Sequence, residues 1–289
     1  PNSKRSGRSG DPALKNILIS ADMEGITGVT CPDDVLDGHP RWEYCRKLMA
    51  SDINAAVDGF FAAGAERVVV NEAHSTKRNV PLDLLDPRAS LIIGTHKRLG
   101  MMETIDSGVD AVAFIGYHTG AGRQGVLAHT YISTIVLEVL INGEPASEGR
   151  MNALLANEFG VPVVLFTGDD LSCAEAGEWA PDSERVAVKR CVDRYTAECL
   201  PPARTSEMIR TAAERSLAPR PAVATPAGPF TYEVTFDATH PVNATTTIPS
   251  VEQTGERTVS FTLPTMVEAI RCFKAVTALA NGSAEPKFG

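Results

Sequence analysis

The stretch Ile17-Leu18-Ile19-Ser20-Ala21-Asp22-Met23-Glu24-Gly25 joins a run of apolar residues to two closely spaced carboxylates. The apolar run predicts a short buried strand, and the i, i+2 spacing of Asp22 and Glu24 places both side chains on one face of extended backbone. Gly25 lets the chain turn away at once. Two acids at the end of a buried strand repel each other and lose hydration, and a bound cation would remove both penalties. From these residues alone, an Asp that caps the next element beside a solvated Glu is an equal alternative.

Further apolar runs predict an α/β fold with a mostly parallel sheet flanked by helices. A helical pattern over residues 42–63 separates the first strand from a β-branched run at 67–71, as in a parallel βαβ unit. Later strands are predicted at 90–94, 111–116, 134–141, 161–167 and 185–190, and a helix at 145–158.

The composition along the chain predicts three segments. Residues 1–14 contain almost nothing apolar and predict a flexible tail. Residues 15–200 predict the α/β domain, which contains the candidate metal-binding and catalytic residues described below. Residues 201–289 predict a smaller α+β C-terminal subdomain. Its predicted elements are a helix at 205–217, strands at 230–236 and 258–263, and a helix at 265–280.

The overall charge and hydropathy argue against several classes of partner. The chain has 289 residues and a formal net charge of -9 without a long basic run, which argues against nucleic acid or an anionic membrane surface as the main partner. No apolar stretch reaches the roughly 20 residues that span a bilayer. No signal-peptide pattern is present, so a cytoplasmic location is expected. The six cysteines show no Cys-X-X-Cys spacing and are interpreted as structural.

Polar residues follow the ends of three predicted strands. Asp22 and Glu24 follow the first strand, His74 follows the second, and His118 follows the strand at 111–116. Ligands of open α/β sheets bind beyond the carboxyl ends of the strands, so these side chains are expected to meet at one edge. A single histidine at a strand end is usually only hydrogen-bonded, but the joint pattern favours a metal site. Mixed carboxylate and imidazole ligands suit Zn²⁺, with Mn²⁺, Co²⁺, Ni²⁺ or Fe²⁺ as competitors.

Other polar residues have two interpretations each. Glu148, in the first turns of the predicted helix, could complete a two-metal site or could simply be favoured there by the helix dipole. His129 lies in an aliphatic segment, where it could be a general acid or base or a buried hydrogen-bonded histidine. Asp169 and Asp170 could bind a substrate amine, although capping of the following helix is the simpler explanation.

An ordered series of motifs resembles the zinc-dependent D-aminopeptidases associated with bacterial dipeptide transport operons. The opening stretch has their Ser-X-Asp-X-Glu-Gly signature, and the resemblance runs from about residue 16 to about residue 280. The matching segments are residues 20–25, 70–75, 116–118, 125–129, 147–153, 168–170 and 187–189.

The resemblance implies a metal-dependent aminopeptidase that removes an N-terminal D-amino acid from short peptides. It implies a binuclear site with two Zn²⁺ per chain, and a ring-shaped homo-oligomer, a decamer in the family. Carried onto this sequence, the catalytic residue is His129. The metal ligands are Asp22, Glu24, His74, His118 and Glu148.

Two other functions remain compatible with the same residues. The ligand set would also serve another binuclear metallohydrolase that cleaves amides or esters, although the phosphate-binding GxxxxGK loop is absent. The protein could also be a non-catalytic, metal-stabilised peptide-binding protein. Zinc binding and a turnover test on D- and L-aminoacyl substrates separate these alternatives.

Overall fold

The computed structural model describes residues 14–285, which form twelve β-strands and six α-helices. The predicted tail therefore lies, except for Leu14, outside the described residues. The strands are β1 (Asn16–Ala21), β2 (Arg67–Glu72), β3 (Ala89–Ile92), β4 (Ala111–Ile115), β5 (Val136–Ile141), β6 (Glu144–Pro145), β7 (Val163–Asp169), β8 (Glu184–Asp193), β9 (Thr196–Cys199), β10 (Phe230–Phe236), β11 (Glu252–Gln253) and β12 (Thr258–Leu263). The helices are α1 (Pro40–Ala62), α2 (Glu148–Glu158), α3 (Asp170–Trp179), α4 (Pro202–Ser216), α5 (His240–Thr245) and α6 (Met266–Gly282).

The larger sheet has seven strands in the order β3-β2-β1-β4-β7-β8-β9, and every pair is parallel except β8 with β9. This arrangement confirms the predicted α/β class. Strand β1 lies between β2 and β4, with Ala21 opposite Glu72 on one side and Ile115 on the other. The residues that follow these three strands therefore emerge side by side at one edge of the sheet.

Strand β1 is buried on both faces, which explains its unbroken apolar sequence. Ile17 and Ile19 pack in a cluster with apolar residues of α1 and α4. Leu18 points to the opposite face, where the cluster includes Phe273 of α6 and Tyr232 of β10. The parallel sheet is thus the middle layer of the fold, and its central strand is held in place from both sides.

The smaller sheet is antiparallel, with five strands in the order β11-β12-β10-β5-β6. The strand predicted at 134–141 is present as β5, but it belongs to this second sheet. Its pattern explains the placement, because Val136, Val139 and Ile141 are buried while Leu137 and Glu138 are exposed. This one-sided burial is typical of antiparallel sheets. The division of the chain at residue 200 stays a prediction.

The helices begin and end close to the predicted positions. Helix α1 covers the pattern predicted at 42–63, and α2 begins after Ser147, whose hydroxyl accepts a hydrogen bond from Arg150 N at 3.2 Å. The short helix α5 and the strand β9 were not predicted. Within the described part of the chain, no helix is both long enough and apolar enough to cross a membrane.

Two glycines allow the end of β1 to lie directly against the end of β4. Gly25 N donates to Gly116 O at 2.8 Å, and a Cβ added at Gly25 would lie 1.9 Å from Tyr117 O. Gly116 adopts a positive φ of 75°, and a Cβ there would lie 2.4 Å from Asp22 O. The close approach brings the acidic turn within reach of the residues that follow β4.

We expect Gly25→Ala to destabilise the fold by about 3 kcal/mol, because the added methyl group overlaps backbone atoms that cannot move independently. Chemical denaturation monitored by circular dichroism measures this loss. Gly282→Ala is the control, since a Cβ at Gly282 has nothing within 4 Å. Equal stability of the two variants would contradict the steric argument.

Candidate metal centre

The structure brings all six predicted site residues together at the carboxyl end of the parallel sheet. They arrive on four segments of the chain, and five of the six are buried while the imidazole of His129 is half-buried. In chain order they are Asp22 and Glu24 after β1, His74 after β2, His118 and His129 after β4, and Glu148 at the start of α2.

Asp22, Glu24 and His74 form the first group. His74 Nδ1 lies 3.3 Å from Asp22 Oδ1 and 3.1 Å from Glu24 Oε2. The other ring nitrogen, Nε2, lies 2.9 Å from the carbonyl oxygen of Val35. Because a carbonyl oxygen only accepts, Nε2 carries a hydrogen and Nδ1 is aimed at the carboxylates, which is the usual arrangement behind a metal-binding histidine.

Asp22, His118 and Glu148 form the second group. His118 Nε2 lies 3.4 Å from Asp22 Oδ2 and 3.8 Å from Glu148 Oε1. The carbonyl oxygen of Thr119 lies 2.9 Å from His118 Nδ1, so here Nε2 is the nitrogen that faces the carboxylates. Glu148 is held in turn by Tyr131 N, which donates to its Oε1 at 2.6 Å.

Three atoms at the centre of these groups have no hydrogen-bond partner among the described residues. They are Asp22 Oδ2, Glu24 Oε2 and His118 Nε2, and all three are buried. Buried polar atoms in native proteins are nearly always paired, and unpaired carboxylate oxygens are especially costly. Their convergence therefore fits a bound cation, and the mixture of oxygen and imidazole donors suits zinc.

The geometry offers more than one place for a cation. The donor atoms of Asp22, Glu24 and His74 lie within 4.8 Å of one another, and so do those of Asp22, His118 and Glu148. Asp22 belongs to both groups, as a bridging carboxylate would. A third combination, Glu24 with His118 and His129, meets the same distance criterion.

The charges of the cluster strongly influence one another. Burial alone would raise the pKa of Asp22, but the adjacent rings of His118 and His74 hold it well below its usual value. Burial alone would lower the pKa of His118, but Asp22 and Glu148 raise it to about 10. The pKa of His74 is likewise raised, against its burial, by Glu24 and Asp22. Without metal, protons on these rings offset the carboxylates, and metal binding would displace them.

His129 stands beside the cluster, and its Nε2 has no hydrogen-bond partner among residues 14–285. Its ring stacks on His118 with centroids 4.2 Å apart and an interplanar angle of 8°. The carbonyl oxygen of Leu127 lies 2.9 Å from Nδ1, while Nε2 lies 3.9 Å from both Glu24 Oε1 and Glu148 Oε1. With Nδ1 directed at this carbonyl, Nε2 is the nitrogen that faces the cluster, where it can accept or deliver a proton.

The loop that carries His129 has a strained backbone and is held in place by a hydrogen bond to Asp169. Leu127 and Tyr131 adopt positive φ values of 53° and 59°, which non-glycine residues seldom do. Asp169 Oδ2 accepts a hydrogen bond from Val126 N at 2.7 Å, and Asp169 Oδ1 accepts one from Ser172 N at 2.7 Å. The second bond confirms the simpler prediction for Asp169, that it caps the helix that follows.

A cavity of about 410 Å³ opens onto the metal centre. Its size suits a short peptide, since small-molecule pockets are usually about 300–1,000 Å³. Five of the six site residues, all except His118, line it. Lys77, Tyr131, and Arg194 and Tyr195 at the tip of the β8–β9 hairpin line it as well. The carbonyl oxygen of Arg194 accepts a hydrogen bond from Leu127 N at 2.8 Å, which joins the hairpin to the loop of His129.

Sequence reasoning did not identify Lys77, Arg194 or Tyr195 as cavity residues. Lys77 follows His74 by three residues and lies shortly after a predicted strand. Its place in the cavity could therefore have been predicted from the sequence. The hairpin tip gave no such signal, because β9 was not predicted.

Comparisons with known proteins identify the family to which the chain belongs. The model of the M55 peptidase family, described as D-aminopeptidase, matches residues 15–275. A D-aminopeptidase of Bacillus subtilis (strain 168) is 32% identical over 269 residues, covering 91% of this chain and 97% of that protein. The solved structure of a zinc-dependent D-aminopeptidase from Bacillus subtilis, DppA, described as a self-compartmentalizing protease, superimposes with a TM-score of 0.90. It is 30% identical and covers 93% of this chain and 99% of its own. The chain belongs to the D-aminopeptidase family.

Proposed function

We propose that this protein is a zinc-dependent aminopeptidase that removes the N-terminal D-amino acid from short peptides. The observation that carries the proposal is the pair of ligand groups that share Asp22 at the base of a peptide-sized cavity. Membership of the D-aminopeptidase family supports the reaction, and the zinc dependence of the structural relative supports the metal.

We assign one zinc ion to Asp22, Glu24 and His74, and a second to Asp22, His118 and Glu148. The unpaired atoms of Asp22, Glu24 and His118 support this assignment, and so do the backbone carbonyls that orient both histidines. Zinc bound there would polarise the scissile carbonyl as a Lewis acid and make water more acidic.

The role assigned to His129 is proton transfer. Its Nδ1–H is held by Leu127 O, so Nε2 can take a proton from the attacking water. The water oxygen bonds to the carbonyl carbon while the π-electron pair moves onto the carbonyl oxygen. That pair returns as the C–N bond breaks, and the leaving amine receives the proton from His129 Nε2.

We further propose that the protein is a cytoplasmic homo-oligomer, with the decamer of the family as its expected form. The description of the structural relative as a self-compartmentalizing protease supports an assembly. The net charge of -9 and the absence of a long basic run support a soluble partner, a short peptide, over nucleic acid.

The first prediction concerns the substrate. Zinc-loaded protein should hydrolyse D-alanine p-nitroanilide and D-alanyl dipeptides at least about tenfold faster, by kcat/KM, than the L-isomers, because the enantiomers differ in transition-state fit. Released p-nitroaniline and free amino acid measure the rates. Zinc-loaded protein that hydrolyses none of these substrates would favour the peptide-binding alternative, and a preference for L-isomers would contradict the assigned stereochemistry.

The second prediction separates chemistry from metal binding. His129→Ala should retain the zinc content of the wild type but lose about 10²–10⁴-fold in kcat, the usual contribution of a positioned acid–base group. His118→Ala is the matched comparison, since the two rings stack and only His118 is assigned as a ligand; it should lose zinc. Elemental analysis and steady-state kinetics measure both. Zinc loss in His129→Ala would instead make His129 a ligand, in the combination of Glu24 with His118 and His129.

The third prediction tests the shared carboxylate. Asp22→Ala should lose both zinc ions, whereas Glu148→Gln should lose only the second, because Asp22 alone belongs to both groups. The exposed Asp83→Ala is the control and should bind as much zinc as the wild type. Zinc content per chain after dialysis gives the answer, and full occupancy in Asp22→Ala would refute the assignment.

A further inference from the structure

Lys77 brings an ammonium group into the cavity beside the carboxylates. Its side chain is half-buried and lines the same cavity as the carboxylates of Asp22, Glu24 and Glu148. Within residues 14–285, its Nζ donates a hydrogen bond to Ala73 O and forms no ion pair with any carboxylate. One of its three N–H donors is therefore used, and two are free to bind substrate.

The backbone holds this lysine in a fixed position. Lys77 and Ser75 adopt positive φ values of 60° and 40°, which non-glycine residues seldom do. Lys77 N donates to His74 O at 2.8 Å, and Gly94 N donates to Lys77 O at 2.9 Å. The lysine is thus tied on one side to a residue of the metal centre and on the other to the loop after β3.

The charge balance leaves the ammonium available for substrate. The carboxylates of Asp22, Glu24 and Glu148 together carry a charge of about −3, which two divalent ions would more than neutralise. Lys77 is then not needed to offset these acids. A cation at this place favours whatever negative charge develops on the substrate, and its partial burial strengthens the effect.

We propose that Lys77 is a further catalytic residue, whose ammonium donates a hydrogen bond to the oxygen of the scissile carbonyl. The inference rests on the proposed function. As water bonds to the carbonyl carbon, the π-electron pair moves onto this oxygen, and Lys77 stabilises the negative charge until the C–N bond breaks. Lys77 stays protonated throughout, and the proton for the leaving amine still comes from His129.

The competing role for a cationic cavity residue is to bind the C-terminal carboxylate of the peptide. Lys77 Nζ donates to Ala73 O, and Ala73 N donates to Ala21 O at 2.8 Å, so the ammonium is tied to the residues that directly precede His74 and Asp22 in the chain. Arg194, by contrast, is exposed at the hairpin tip. A carboxylate one residue beyond the scissile bond would lie further from the cluster than the reacting carbonyl, which favours the carbonyl as the partner of Lys77.

The test compares Lys77→Met and Lys77→Arg with the wild-type zinc enzyme. Methionine keeps an unbranched side chain at the same left-handed position and removes the ammonium, with its charge and its N–H donors. Arg78→Met is the matched control, because Arg78 is an exposed cation on the same loop that donates to Thr76 O. The substrates are D-alanyl-glycine and D-alanyl-glycinamide, and the inhibitor is the phosphinate isostere of D-alanyl-glycine, whose tetrahedral phosphorus carries anionic oxygens.

Lys77→Met should lower kcat about 10²–10³-fold on both substrates, as loss of an oxyanion donor does, with little change in KM. The inhibition constant of the phosphinate should rise by a similar factor, because a transition-state analogue senses the same interaction. Lys77→Arg should recover part of the loss, since the charge is kept but displaced. Zinc content and melting temperature should equal those of the wild type, and Arg78→Met should be as active as the wild type.

Several results would overturn the inference. Wild-type kcat in Lys77→Met refutes it while leaving the proposed function intact. A defect that disappears with D-alanyl-glycinamide assigns Lys77 to the terminal carboxylate instead, and zinc loss or a lowered melting temperature assigns it a structural role. A wild-type zinc protein that hydrolyses no peptide overturns both proposals.

Discussion

The burial of three carboxylates and two imidazoles at one sheet edge is the constraint on which the rest of the site depends. Acids this close repel one another, and burial removes the water that would screen them. The arrangement persists because β1 is held between β2 and β4 with Ala21 in register on both sides. Gly25 and Gly116 then let the turn after β1 pack against the end of β4. The sheet thus fixes the position of these groups, and a bound cation would offset the charge of the carboxylates.

The orientation of the three histidine rings is set by backbone carbonyl groups around the site. The carbonyl oxygens of Val35, Thr119 and Leu127 each contact one ring nitrogen and thereby fix which nitrogen of each histidine faces the cluster. Backbone carbonyls do not titrate, so they remain hydrogen-bond acceptors over the ordinary pH range. The cost is local strain in the loops that present them, as the positive φ of Leu127 illustrates.

The sequence allowed residues at strand ends to be placed together, but it did not reveal placements that depend on long-range pairing. Asp22 and His118 could be placed together because parallel strands end at a common edge. Glu148 could not, because a first-turn acid has an ordinary explanation and its contact with Tyr131 N is invisible in the sequence. The placement of β5 in a second sheet was likewise hidden, since its partner β10 begins almost ninety residues later. Lys77 was overlooked although its position after β2 resembles that of the predicted ligands.

The hydrogen bond between Leu127 N and Arg194 O couples the tip of the β8–β9 hairpin to the loop that carries His129. The hairpin tip forms part of the cavity wall, and the segment it contacts ends at His129. Any outward movement of the hairpin tip that widens the cavity entrance must either break this hydrogen bond or pull the loop of His129 with it. Because the ring of His129 is also stacked on His118, displacement of the loop would have to break this stacking contact. A wider cavity entrance would therefore come at the expense of the position in which the imidazole of His129 is now held.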